Sequence, residues 1–528
     1  MRDRAVETHS ATEKRLILAA VCLAGLSMPV SFTGPAVALP AIAHALGGSP
    51  LALNWVTNAF MLAFGSCLLV AGTFADRFGR KRVFLCGALG FALSSIVATR
   101  AGSMLAVDLL RALQGIAGAA ALSAGAAALA QEFEGEARTR AFSVLGATFG
   151  VGLAFGPIVA GALIAHFGWR SVFWSVTVIT LIAFVFGGRC IRETRDPDAT
   201  SLDLLGAATF TCGLTLFTYA VLRVPDSGWT SPLVLGLLAA SAVVVGGFVV
   251  VENRARRPML DLSLFRYPRF IGVQFLAAAP AYSYVVLLVL LPVRFIGIEG
   301  YGSVVAGRMM FALSAPMLVI PMVAGYLTRW LAPGVIAGVG LLLCACGQLW
   351  LAQCAPGQPV TPMLVAMFVI GVGVSLPWGL MDGLAVSVVP KERAGMATGI
   401  FNTTRVAGEG IALAIVTALL GSFTETSLHG GAYAGVDATT LGEAANRLAM
   451  GDLSTAAALL PHATSAELIP FYGAAFHLLL YVLAGITVLS ALMVFGFLSH
   501  SKLPHLEEPG SAAEPTPARP ARAGAAVQ

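Results

Sequence analysis

The sequence predicts an all-α membrane protein with 14 transmembrane helices, and three observations predict it. Apolar residues make up 57% of the 528 and charged residues 11%, against about 25% charged in a soluble domain, and the mean hydropathy is +0.84. The apolar mass is cut into blocks of about 20 residues, the length a helix needs to cross the hydrocarbon core. Lys and Arg gather in alternate connecting segments, as the positive-inside rule asks of a chain that crosses repeatedly. This composition excludes an ordinary soluble enzyme, a disordered chain and a nucleic-acid binder. Barrel strands would be shorter and would alternate apolar with polar residues.

The blocks run in order over 16–39, 52–74, 83–99, 104–130, 142–164, 171–188, 204–222, 233–251, 270–293, 304–326, 334–354, 362–388, 396–420 and 470–498. The first is no signal peptide: it is too long, contains Pro29 and Pro35, and is followed by further spans. With residues 1–15 placed in the cytoplasm, 24 of the 32 basic residues fall in inside segments and 4 outside, the rest lying in spans or at their ends. Both termini are therefore expected inside, in a cytoplasmic (plasma) membrane. The outer segment 421–469 carries Glu425, Asp437, Glu443, Asp452 and Glu467 against Arg447 alone, and 439–460 reads as a short surface helix. The tail 500–528, rich in Pro and Ala, reads as disordered.

Spans 16–188 and 270–498 divide the chain into two six-helix bundles. Residues 204–251 form a two-helix insert between the charge-rich stretches 189–203 and 252–269. The eight Cys form no C-x-x-C and lie mostly within apolar blocks, and the eight His are scattered. Neither a disulfide framework nor a metal site is read from them, and no cofactor is expected.

Four motifs carry mechanism. Between spans two and three stands Gly72-Thr-Phe-Ala-Asp76-Arg77-Phe-Gly79-Arg80-Lys81-Arg82. Its glycines allow close helix approach, and Asp76 is placed to pair with the basic cluster or to meet a helix N-terminus. Span four holds Arg111-Ala-Leu-Gln114-Gly115, with Asp108 one turn earlier on the same face. An arginine that deep must face a partner or water. A static Asp108–Arg111 pair and a proton-linked switch are both open readings. Span five runs Gly146-x-x-x-Gly150 and Gly152-x-x-x-Gly156-Pro157 to Gly161, a groove of small residues with a proline that permits a bend. Span one contains Val37-Ala38-Leu39-Pro40.

These motifs resemble the signatures of the major facilitator superfamily, and Val37–Pro40 resembles that of its 14-span drug:proton antiporters. The 72–82 turn resembles the loop that helps latch the cytoplasmic side shut, and Gly152, Gly156, Pro157 and Gly161 resemble the antiporter helix. The sequence departs from the family at Ser143 and Ala160, where Gly is usual. It departs also at Ser31, where the antiporters carry an acid. The resemblance implies two bundles rocking about a central site.

With that acid gone, the remaining intramembrane carboxylates are Asp108, Asp382 and Glu409. Val389–Arg405 resembles the family's second-half helix–loop–helix. Asp382 lies eight residues before Pro390 and Arg405 ten after Gly395, both about 12–15 Å in from the inner surface. Glu409 lies one turn beyond Arg405. Asp382, Arg405 and Glu409 are thus expected to form one buried triad, with Glu409 first and Asp382 second as proton carrier. A permanent ion network is the alternative. Asn58, Gln114, Gln274, Tyr282, Trp378 and Asn402 are the polar and aromatic candidates to line a central cavity for an amphipathic solute.

No G-x-x-x-x-G-K-[ST] is present, so the driving force is expected to be an ion gradient, that of protons. The expectation is a monomeric, proton-coupled exporter of drugs or amphipathic metabolites. Export of one dedicated metabolite, such as a siderophore or antibiotic, is second, and uptake by symport third. A membrane-embedded enzyme is disfavoured, because neither G-x-S-x-G nor H-E-x-x-H occurs.

Overall fold

The computed structural model describes residues 10–133, 135–195, 203–255, 258, 260, 262–388, 394–430, 433 and 435–498. The described residues are helical throughout, without a strand. In chain order the helices are α1 (Ala11–Leu46), α2 (Pro50–Phe78), α3 (Arg80–Ala98), α4 (Met104–Glu132), α5 (Gly135–Phe167), α6 (Ser171–Cys190), α7 (Leu204–Ser227) and α8 (Pro232–Arg254). They continue as α9 (Pro268–Pro280), α10 (Val286–Pro292), α11 (Ser303–Ser314), α12 (Ile320–Leu327), α13 (Pro333–Ala352), α14 (Val360–Trp378) and α15 (Met381–Ser387). The last four are α16 (Ala394–His429), α17 (Ala438–Ala449), α18 (Leu453–Leu459) and α19 (Ser465–Leu498).

Among the described residues thirteen helical stretches, some joining consecutive elements, are long and apolar enough to cross a membrane, and α5, bent by 43°, makes 14. The bend has a local cause. The Pro157 ring meets the carbonyl four residues back, at Leu153, and the break falls between Leu153 and Phe155. Helix α1 is longer than its apolar block, because a Ser10–Glu13 capping box starts it and Gly47 at φ 67° ends it. The expected surface helix at 439–460 is two helices, α17 and α18, divided at Gly451 (φ 78°). Asp437 caps α17 by accepting from Thr439 and Thr440. Those bonds, that of the Thr439 side chain first, hold its carboxyl below the usual range. The tail 500–528 lies outside the described residues.

Helices α1 to α6 pack on one another, chiefly α1 on α5 and α6, α2 on α4, and α3 on α4 and α6. In the second half α13 packs on α14 and α19, and α16 on α9 and α19. Lipid is as apolar as these side chains, so small residues and close backbone contact do the packing. Helices α7 and α8 pair. Helix α7 lies along α2 and α16, with Leu214 between Leu62 and Ala407. The ninth span is broken twice: π-helical turns at Ala281–Val285 and Val293–Ile298 flank α10, each following a proline, Pro280 or Pro292.

Two seams join the halves, and glycines gauge them. On α5, a Cβ at Gly161 would collide with the Ser303 carbonyl oxygen. Four residues along, the Pro157 carbonyl oxygen lies 2.8 Å from a Cβ built on Gly307 of α11, and a Cβ at Gly150 would stand 3.7 Å from the Met317 oxygen. At Gly146, among the described residues, it would meet nothing within 4 Å. On α2, a Cβ at Gly65 would lie 2.9 Å from the Ala407 nitrogen of α16, and one at Gly72 would meet nothing within 4 Å among the described residues. Among the described residues both seams are in close contact from the α17 end to mid-membrane, whereas toward the end that carries the Arg-rich 76–82 turn Gly146 and Gly72 meet no neighbour.

Candidate functional site

Among the described residues, the sequence candidates fall in two polar clusters within the spans, one in each half. In the first half Arg111 is fully buried. Its Nε donates to the Val56 carbonyl (2.8 Å), and its Nη1 donates to Ser31 Oγ (2.8 Å) and Gln114 Oε1 (2.6 Å). Gln114 Nε2 donates in turn to Ser95 Oγ (2.7 Å), and the guanidinium stands over the Phe60 ring at 4.3 Å. Four helices, α1 to α4, thus converge on one cation.

The direct pair with Asp108, one of the two open readings, is not formed. Among the described residues no carboxylate lies within ion-pair distance of Arg111, and Asp108 Oδ1 and Arg111 Nη2 are buried without a hydrogen-bond partner. The guanidinium reaches across to α1 and α2 instead of along its own helix. Ser31, noted in the sequence as a missing acid, is the ligand that draws it there. Asn58 donates to the Asn54 carbonyl within α2 (2.9 Å), and its Oδ1 is buried without a partner.

In the second half Arg405 Nη2 donates to Asn402 Oδ1 (2.8 Å). Its guanidinium lies 5.7 Å from the Trp378 ring centre and 5.6 Å from that of Phe401. Three sequence candidates, Arg405, Asn402 and Trp378, are thereby brought together. Glu409, one turn on and half-buried, has no hydrogen-bond or ion-pair partner among the described residues, so it is not in contact with Arg405. The Asp382 side chain lies outside the described residues, although its helix α15 packs on α9 and α16. Gln274 on α9 is buried, and neither amide atom has a partner. The Tyr282 hydroxyl bonds Ser490 Oγ.

Two clusters had escaped the sequence reading. Gln348 is fully buried in α13, and its Nε2 donates to the carbonyls of Tyr282 (3.4 Å) and Ser283 (3.3 Å) on the first π turn. Its Oε1 accepts from Thr487 (3.1 Å). A glutamine deep in an apolar block was the available signal. Arg294 and Glu299 form a buried ion pair, Nε to Oε1 at 2.6 Å and 2% and 7% exposed. Arg294 Nη2 also donates to the Cys354 carbonyl (2.7 Å).

The 72–82 turn binds only its own half among the described residues. Asp76 Oδ1 accepts from Arg80 Nε (3.1 Å) and Nη2 (2.9 Å), and Arg80 Nη1 donates to Gln131 (2.5 Å). The Arg80 amide donates to the Thr194 carbonyl, and Arg82 pairs with Glu193 at 3.3 Å. Glu193 also fills the place a Cβ would take at Gly79, where φ is +111°. Arg77 is exposed beside Phe78, and Lys81 is half-exposed. On α5, Gly152 and Gly156 face Pro29 and Thr33 of α1, whereas Gly161 and the Pro157 carbonyl face α11. The small residues serve two neighbours, one within the half and one across the seam.

Among the described residues no group of three or more His, Cys, Asp or Glu is placed to hold a metal ion. Among the described residues the spans thus hold a buried cluster about Arg111, a buried Arg294–Glu299 pair and a half-buried group about Arg405.

The family model described as Major Facilitator Superfamily matches residues 20–413. The tetracenomycin C resistance and export protein of Streptomyces glaucescens is 29% identical over 77% of this chain and 76% of its own. The multidrug efflux pump LfrA of Mycolicibacterium smegmatis is 28% identical over 93% and 97%. Among solved structures, the fold is similar to that of a bacterial homolog to the human lysosomal transporter Spinster, in an inward-facing and occupied conformation. The TM-score is 0.62 at 15% identity, over 93% of this chain and 97% of that one.

Proposed function

The chain belongs to the Major Facilitator Superfamily, and from that premise we propose that it exports drugs or other amphipathic small molecules in exchange for protons by alternating access. The carrying observation is the pair of seams, in close contact at the α17 end and without glycine contact at the other among the described residues, above a central region with Glu409 and Arg405. A rocking carrier needs this asymmetry. The export direction is supported by the relatives named for resistance, export and efflux. In this reading the Arg-rich end and both termini lie in the cytoplasm, the membrane is the plasma membrane, and the carrier works as a monomer. Glu409, with Asp382, exchanges the proton. Arg405, Asn402, Trp378, Gln274 and Tyr282 contact the solute from the second half, and Asn58 and Gln114 support it from the first. The 72–82 turn tightens against the second half when the cytoplasmic end closes.

The test is transport by the purified protein in liposomes. A fluorescent amphiphile is expected to move against its gradient when a pH gradient is imposed, and an uncoupler is expected to abolish the movement. Passive equilibration unaffected by the uncoupler would indicate a channel and end this reading. A second reading, export of one dedicated antibiotic, is favoured by the relative named for tetracenomycin C. A screen of a deletion strain separates the two, since a broad exporter gives sensitivity to several unrelated compounds.

The α5–α11 seam yields a further expectation. A side chain at Gly161 must displace the Ser303 backbone, and overpacking of this kind costs about 1–3 kcal/mol. Gly161→Leu is therefore expected to reduce export about tenfold at unchanged membrane level, measured by vesicle uptake and immunoblot. Wild-type export by this variant would show that the seam opens and closes elsewhere.

A further inference from the structure

The segment 435–464 lies across the sealed end of the molecule. Helix α17 turns Leu441, Ala444, Ala445 and Leu448, all at 2% exposure or less, inward, and it packs on α16, α18 and α7. Two contacts leave the second half. Arg447 Nη1 donates to the Gly48 carbonyl in the α1–α2 turn at 2.9 Å, 399 residues away. Met450 packs against a first-half cluster that contains Val37, Leu39 and Ile42 of α1 and Val56 of α2. Val293 of the second π turn belongs to the same cluster, and the backbone of Gly451 lies against Gly297 in that turn. Arg447 is aimed by two acids on its own segment, Glu443 at 3.9 Å and Asp452 at 3.8 Å.

Beneath this segment the path is shut. A void of about 10 Å³ is lined by Leu39 of α1, Asn54 and Thr57 of α2, Val289 of α10, Thr417 of α16 and Met450. It draws walls from both halves and its roof from the segment. It holds about one water, whereas a drug-sized ligand needs about 300–1,000 Å³. A solute leaving by this end must displace Met450 and part Arg447 from Gly48.

The geometry points to residues 435–464 as an exit lid, latched to the first half by Arg447 and Met450, whose release limits opening at this end. The inference rests on the exporter reading for the direction of traffic, but the latch can be tested without transport. Asn54 lies under the lid and is buried, so Asn54→Cys reports lid opening. In the purified protein in liposomes, labelling at residue 54 by a membrane-impermeant maleimide is read by mass spectrometry. Adding Arg447→Gln is expected to speed it about tenfold, the worth of one charge-assisted hydrogen bond. Met450→Ala is expected to act in the same direction. An unchanged labelling rate in both variants overturns the lid. A second variant pair, Asn54→Cys with Asn446→Cys, covers the case in which loosening the latch unfolds the segment, because both positions line one void. Oxidation to a disulfide is expected to stop export and a reductant to restore it, with oxidised wild type as control. Export undiminished by the cross-link overturns the lid. Absence of export in the reduced protein and in wild type counts against the exporter reading alone, since labelling still reports the latch.

Discussion

Glu409→Gln is expected to lower pH-gradient-driven export by about 100-fold, the scale on which losing a positioned proton-transfer group acts, while substrate-for-substrate exchange across the same liposomes continues. Glutamine keeps the shape of the side chain and its capacity for hydrogen bonds, but it cannot deliver a proton to the other face. Exchange needs only the rocking of the loaded carrier, so it isolates binding from coupling. The expectation rests on where Glu409 stands: in the middle of α16, half-buried, beside α2 and α9, with no cation in contact among the described residues. A carboxylate locked to an arginine would be a structural strut. One without such a lock is free to alternate between protonated and charged forms as the seams open. If Glu409→Gln expels substrate and moves protons as the wild type does, the proton takes another route and Asp382 becomes the next residue to replace. If exchange is lost as well, Glu409 holds the fold or the solute, and the coupling assignment falls.

The spans were legible because bilayer thickness fixes their length and lipid fixes their composition, so counting apolar residues finds α4, α6 or α19 almost as they stand. The bend in α5 was legible because Pro157 announces it. What stayed hidden depends on departures from α-helical geometry. Arg294 and Glu299 are five residues apart, a spacing that places two side chains on different faces of an α-helix. In the π turn the Glu299 amide donates to the Arg294 carbonyl (2.9 Å), an i to i+5 bond, and the two side chains meet. No 3.6-residue periodicity predicts that pairing. Glu299 had in addition been placed beyond its span, because the apolar block stops at Val293. Of the two open readings of Asp108 and Arg111, the direct static pair is not formed, for a related reason. Helical spacing gives the neighbours along one helix, but a long guanidinium stem chooses among three helices, and the Val56 carbonyl, Ser31 and Gln114 outbid the acid on its own face. Ser31 could be read as the loss of a carboxylate but not as its replacement, because hydroxyl-to-guanidinium contact is a fact of packing between α1 and α4.

Arg111→Leu is expected to destabilise the first half by about 2–5 kcal/mol, on the scale of three side-chain hydrogen bonds within a membrane. Removing the guanidinium leaves Ser31 Oγ, the Val56 carbonyl and Gln114 Oε1 without their donor. It also removes the cation from the face of Phe60. Arg111→Lys should fall between wild type and Leu, because one ammonium cannot reproduce a planar fork that serves two neighbouring helices and its own. Ser31→Ala should cost little, since it removes one of the three bonds. Ser31→Asp should raise the melting temperature, because Ser31 Oγ already stands 2.8 Å from Nη1 and a carboxylate there would meet the charge directly. Thermal melting of the detergent-solubilised variants gives the order, and transport by the same samples separates holding the helices from moving the proton. A Leu variant as stable as the wild type would mean that the first half is held without this cluster. A Leu variant that melts early yet exports at the wild-type rate per folded molecule would confine Arg111 to structure and leave the coupling to α16.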